Sequence, residues 1–121
     1  MAYDTNNIFA RILRGEIPCG KVYEDDQVLA FNDINAQAPT HILVIPKGAY
    51  VSMTDFASKA SPAEQTAFFA AIGKIVAEKK LDDAGYRVIA NAGLHGGQEV
   101  PHFHMHILGG RGLGRMLPEA A

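Results

Sequence analysis

A chain of 121 residues is long enough for one hydrophobic core and too short for two ordinary domains. Apolar residues at 48%, charged residues at 20% and a net charge of −2 match an average globular protein, which argues against disordered, membrane-spanning and broadly nucleic-acid-binding classes. Cys19 is the one cysteine, residues 1–9 hold no basic cluster ahead of an apolar run, and no stretch nears the ~18 apolar residues of a membrane helix. The expectation is therefore a cytoplasmic protein with no membrane or nucleic-acid partner and no internal disulfide.

Residues 7–13 predict a short helix, because Ile8, Phe9, Ile12 and Leu13 recur at helical spacing and Gly15 suits its end. Ile17 and Pro18 break into a turn. Residues 21–24 and 28–32 predict two strands of a hairpin joined across Asp25, Asp26 and Gln27. A third strand over 41–45 is β-branched and stopped by Pro46. The clearest helix starts at Ser61-Pro62-Ala63-Glu64, where Ser61 caps free N–H groups, Pro62 fits the first position and Glu64 completes a capping box. Phe68, Ile72, Ile75 and Val76 form its packing face, and Glu78-Lys79-Lys80 mark its exit. Residues 86–90 predict a fourth strand, 91–98 a polar glycine-rich loop and 103–108 a fifth strand ended by Gly109, Gly110 and Gly112. This order is α+β: a five-stranded, mainly antiparallel sheet with one long and one short helix. It lacks the strand–helix alternation of doubly wound nucleotide folds, and no G-x-x-x-x-G-K loop is present.

Chemistry concentrates in Pro101-His102-Phe103-His104-Met105-His106-Ile107-Leu108. On a strand, His102, His104 and His106 share one face and are expected to look into one cleft, while Phe103, Met105 and Ile107 anchor the other. Two readings compete. His-x-His on a strand is a ligand pair for a metal, but residues four apart stand ~13 Å apart on a regular strand. With Zn–N bonds near ~2.1 Å, one ion hardly takes all three, so a carboxylate or His41 would have to complete the shell. The other reading is nucleophilic attack at phosphorus, since a neutral imidazole is a competent nucleophile and neighbouring rings can donate to phosphoryl oxygens. Gly96-Gly97-Gln98 would add backbone N–H groups.

The pattern His102-Phe103-His104-Met105-His106-Ile107-Leu108 resembles the signature of the histidine triad family, in which histidines alternate with apolar residues. Asn7-Ile8-Phe9, Arg14-Gly15-Glu16-Ile17-Pro18, Phe31-Asn32-Asp33-Ile34, Ala38-Pro39-Thr40-His41, Val44-Ile45-Pro46-Lys47, Gly85-Tyr86-Arg87 and Gly96-Gly97-Gln98 resemble its Hint branch. The resemblance implies one domain over residues 1–121, with a core of about 7–111 and a tail of 112–121. It implies a homodimer whose sheets join, a purine nucleotide bound in each subunit, and no metal or organic cofactor.

By the same resemblance, His104 becomes transiently nucleotidylated while releasing an amine from a purine nucleoside 5′-phosphoramidate or a group from an acyl-adenylate. His106 assists the phosphoryl or leaving group, and His102 and His41 orient the others. Asp33 would accept from the ribose hydroxyls. Ile8, Phe9, Ile12, Phe31, Ile34 and Leu43 would wall the purine, and Asn91, Gly97, Gln98 and Val100 the phosphate. Read from pattern alone, Phe9, Ile12, Phe31 and Leu43 are ordinary core, Asp33 a turn cap and Asn91 a loop stabiliser. Glu99 departs from the serine of many eukaryotic relatives; a carboxylate only accepts hydrogen bonds, which favours cationic or amine-bearing leaving groups. The alternatives are cleavage of dinucleoside polyphosphates, as in the Fhit branch, and a nucleotide-binding scaffold with residual catalysis.

Overall fold

The structure, a computed structural model, describes residues 2–118; Met1 and positions 119–121 of the expected tail lie outside the described residues. Its elements run α1 (Ile8–Leu13), β1 (Lys21–Glu24), β2 (Val28–Asn32), β3 (Thr40–Pro46), α2 (Met53–Lys59), α3 (Pro62–Glu78), β4 (Tyr86–Ala90) and β5 (Met105–Gly109). The strands form one sheet in the order β1-β2-β3-β5-β4, and every pairing is antiparallel. The α+β architecture is as the sequence predicts.

Local chemistry sets the helix starts. Asn7 caps α1 by accepting from the Ala10 N–H, so the helix begins one residue after it. Ser61 and Glu64 make the reciprocal capping box of α3 behind Pro62. One correction concerns helix count: α2 is a second short helix, capped by Ser52 on the Asp55 N–H. Phe56 is its one buried side chain, too little for a periodic signal, and it packs among Tyr50, Phe68 and Phe103.

A second correction concerns β5, which begins at Met105 rather than at 103. The Phe103 N–H donates to the Tyr50 carbonyl at 2.7 Å and so leaves the ladder. The alternation of faces nonetheless extends back through Phe103. Phe103, Met105 and Ile107 join Val28, Ala30, Ile42 and Val44 in a core sealed by α2 and α3. On the opposite face Phe31 pairs with Leu43, and Leu43 and Ile89 flank His106 from either side. There α1 covers only one end, packing Phe9 on Leu29, Phe31, Leu43 and Ile45. The rest of that face is open.

Candidate active site

The opening holds a pocket of about 470 Å³, with α1 and the turn behind it along one wall, Asp33 and His41 along another and the 91–100 loop along a third. His104 and His106 stand in it together with Ile8, Phe9, Ile12, Phe31, Ile34, Leu43, Asn91, Gly97, Glu99 and Val100. Ile34 is nearly fully exposed and forms rim rather than wall.

Hydrogen bonds assign the tautomers of three rings. His104 is buried and its Nδ1 lies 2.7 Å from the His102 carbonyl oxygen. A carbonyl only accepts, so Nδ1 carries the proton and Nε2 keeps a bare lone pair. Among the described residues no buried side-chain nitrogen lacks a partner. With Nδ1 committed, Nε2 is therefore the nitrogen left for the pocket. Nδ1 of His41 accepts from the Gln37 N–H at 3.1 Å, which places the His41 proton on Nε2. That Nε2 sits 2.9 Å from Nδ1 of His106 and 3.3 Å from Oδ2 of Asp33. His106 therefore accepts on Nδ1 and bears its proton on Nε2. The result is a bare nitrogen on His104 beside an N–H on His106, with ring centroids 5.1 Å apart.

Electrostatics support neutral rings. Burial lowers the pKa of His104, partly offset by the bond to the His102 carbonyl and by the negative charges of Asp33 and Glu99. His106 is pushed down to about 4, first by burial and then by repulsion from His104 and His41. Phe9 stands edge-on to His104 at 4.9 Å and helps keep water from that ring.

His102 is not in the pocket, which corrects the expectation of three imidazoles facing one cleft. Tyr3 and Phe9 stand edge-on against its ring and close it off. The ring is fully buried, with Nε2 2.8 Å from the Pro46 carbonyl oxygen and Nδ1 2.5 Å from the Tyr3 hydroxyl. Its own carbonyl is what reaches His104. Gln98 is also outside the lining, because its amide N–H groups bond the Val51 and Val100 carbonyls and its oxygen accepts from the Gly93 N–H. It anchors the loop. Asn91 does similar work through the Gly96 carbonyl while still lining the pocket. Gly96 is required for contact, since a Cβ there would collide with the Ala92 carbonyl, and Gly97 adopts φ +74°. Asp33 caps its turn by accepting from the Asn35 N–H at 2.8 Å on Oδ1 and also faces the pocket.

Sequence reasoning passed over Ile17, Pro18, Cys19, Asn32, Asn35, Gln37, Ile89 and Leu108 as lining residues. Ile89 was recoverable from strand alternation had the register with His106 been known, whereas Gln37 acts through its backbone and leaves no side-chain signal. Asp33, His41 and His106 also offer ligand atoms within 4.8 Å of one another, a grouping with the geometry for a metal ion. No described helix is long and apolar enough to cross a membrane.

The HIT domain family model matches residues 14–113. A purine nucleoside phosphoramidase of Escherichia coli K12 is 48% identical over 117 residues, covering 97% of this chain and 96% of that protein. A 14 kDa zinc-binding protein of Zea mays is 46% identical, covering 89% of this chain and 84% of that one. Among solved structures, a histidine triad protein from Clostridium difficile superposes with a TM-score of 0.80 at 46% identity, covering 99% of this chain and all of that one.

Proposed function

We propose that this chain, which belongs to the HIT domain family and is a hydrolase of that family, cleaves purine nucleoside 5′-phosphoramidates through a nucleotidyl intermediate on His104. The observation that carries the reading is the tautomer pair, bare Nε2 on His104 beside Nε2–H on His106. His104 Nε2 attacks phosphorus. The P–N bond breaks with its electron pair on nitrogen, which leaves as the protonated amine. His106 hydrogen-bonds the phosphoryl oxygen or the leaving nitrogen, where charge builds in the transition state. Water then attacks phosphorus, the bond to His104 breaks and the nucleoside monophosphate departs. The leaving nitrogen draws its proton from the Nε2–H of His106, and the proton released by the attacking water restores that N–H. His41 and Asp33 hold His106 in its donating tautomer, an orienting role generalised from triads.

The apolar wall of Phe9, Ile12, Phe31 and Leu43, with Ile8 and Ile34 at its edge, suits a purine face. The free lone pairs of Asp33 suit a ribose diol. Asn91, Gly97 and Val100 take the phosphate end, and Glu99 faces the leaving group. Acyl-adenylates present the same phosphorus. The whole chain acts as one HIT domain, core 7–111 and tail 112–121, in the cytoplasm. A second copy pairs with it along a sheet edge, because an uncovered edge strand invites pairing. Light scattering at micromolar concentration tests this, and a fully active monomer overturns it.

Turnover of an adenosine phosphoramidate against a diadenosine polyphosphate, with AMP binding as control, tests the activity. Faster cleavage of the phosphoramidate supports the proposal; preference for the polyphosphate or binding without turnover supports its rivals. The one observation favouring a metal reading is the Asp33, His41 and His106 grouping. EDTA should leave hydrolysis unchanged, and loss of activity restored by Zn²⁺ would favour that reading instead.

A further inference from the structure

Tyr3 lies outside the histidine motif and the segments that resemble the Hint branch, yet its hydroxyl meets the most deeply buried histidine. The His102 ring is fully inaccessible and has two polar neighbours, the Pro46 carbonyl oxygen at 2.8 Å from Nε2 and the Tyr3 hydroxyl at 2.5 Å from Nδ1. A carbonyl has no proton to give, so Nε2 carries the ring proton and Nδ1 is a lone pair. The Tyr3 O–H then donates. Its ring also stands edge-on to His102, with centroids 5.6 Å apart at 71°.

The segment carrying Tyr3 is tied down. The Asp4 carbonyl accepts from both the N–H and the Nδ2 of Asn7, and Arg14 donates to the Thr5 carbonyl at 2.7 Å. Phe9 stands edge-on to both His102 and His104, with ring centroids 6.2 and 4.9 Å away. Most directly, the carbonyl of His102 is what holds the Nδ1 proton of His104.

From these contacts we infer that Tyr3 is a positioning residue for the reaction. Its hydroxyl locks His102 in one tautomer and one orientation, and so fixes the carbonyl that leaves Nε2 of His104 bare and aimed at phosphorus. Remove the hydroxyl and Nδ1 of His102 becomes a buried acceptor without a donor, so the ring gains a reason to turn or exchange its proton. The inference rests on the reading of His104 as nucleophile, but its effect on His102 can be seen without substrate.

Tyr3→Phe keeps the edge-on ring and deletes only the donor. It should lower kcat about ten- to a hundredfold, as expected for a slightly misplaced reacting group, with KM within about twofold. The ¹⁵N spectrum of the His102 imidazole should show a protonated Nε2 and a bare Nδ1 in the wild type, and a shifted or averaged pair in Tyr3→Phe. Both results are needed. Wild-type kcat in Tyr3→Phe, an unchanged His102 spectrum, or rate loss in Tyr3→Ala alone would assign Tyr3 mere packing and overturn the inference. A protonated Nδ1 in the wild-type spectrum would overturn it with no variant at all. If the wild type instead never labels His104, the proposed function fails while the His102 spectrum still stands as its own test.

Discussion

On one face of the sheet Val28, Ala30, Ile42, Val44, Met105 and Ile107 lie sealed under α2 and α3; on the other, Phe31, Leu43, His106 and Ile89 form a row that α1 covers at one end only. The two faces come from alternate residues of the same strands, so a single step along the chain separates core from pocket. What distinguishes them is how polar atoms are handled. The sealed face contains almost none. The open face buries imidazoles and gives each nitrogen that is not aimed at the pocket a dedicated partner: the Gln37 N–H, the His102 carbonyl, the Pro46 carbonyl, the Tyr3 hydroxyl and, for His41 and His106, each other. Partnering of this kind is the condition for burying polar groups at tolerable cost. It also pre-sets the tautomers on which the proposed chemistry depends.

Perturbing each face in turn should separate activity from stability. His104→Ala, on the open face, should reduce turnover by on the order of four powers of ten or more while nucleotide binding and the melting temperature change little. Steady-state kinetics and a binding titration on the same sample check this, and an active variant would remove His104 from the chemistry. Phe68→Ala, on the sealed face, should do the reverse. It empties a fully buried site between Phe56 and Phe103 and should cost about 3–5 kcal/mol of stability. Below its lowered melting temperature the enzyme should keep near-normal kcat. A large kcat loss in the folded variant would show that the two faces are coupled.

Acid should act through the open face. His102 and His106 titrate near the ordinary 6.5 when unfolded but only at about 4 in the fold, chiefly because burial disfavours their charged forms. The unfolded chain therefore binds more protons between those values. Stability should be complete above about pH 6.5 and fall as pH drops toward 4. For His102 the loss between pH 7 and 5 is on the order of 2 kcal/mol, readable from urea midpoints. Midpoints that do not move over that range would contradict the burial assigned to these rings. Asp33→Asn should have the smallest effect, about 1 kcal/mol or a several-fold rise in KM for a ribonucleotide, with less change in kcat. The effect is modest because Asp33 already spends lone pairs on the Asn35 N–H and His41. Equal KM for ribose and 2′,3′-dideoxy substrates would give Asp33 the turn-capping role alone.

Much of the sealed face was legible in the sequence because it rests on repeated, local signals. The spans of β1, β2 and β4 and the capped start of α3 follow from short apolar and aromatic runs bounded by polar turn residues and from the Ser61–Glu64 pair. The open face was legible as a set of residue types, but its geometry depends on contacts remote in sequence. Strand alternation alone puts His102 in the cleft beside His104, whereas Pro46 and Tyr3, 56 and 99 residues away, hold its ring in a closed site instead. Gln98 reads as a phosphate ligand until the Val51 carbonyl, 47 residues away in sequence, claims its amide. The backbone N–H of Gln37 could not be found from any side chain.

The proposed chemistry turns on the bare Nε2 of His104 as the atom that attacks phosphorus. Wild-type enzyme mixed with an adenosine phosphoramidate, quenched within a turnover and mapped by peptide mass spectrometry, tests it most directly. One nucleoside monophosphate per subunit is expected on His104, held by an acid-labile, base-stable N–P bond. A label on His102, His106 or His41, or turnover with no covalent label at any quench time, would contradict it.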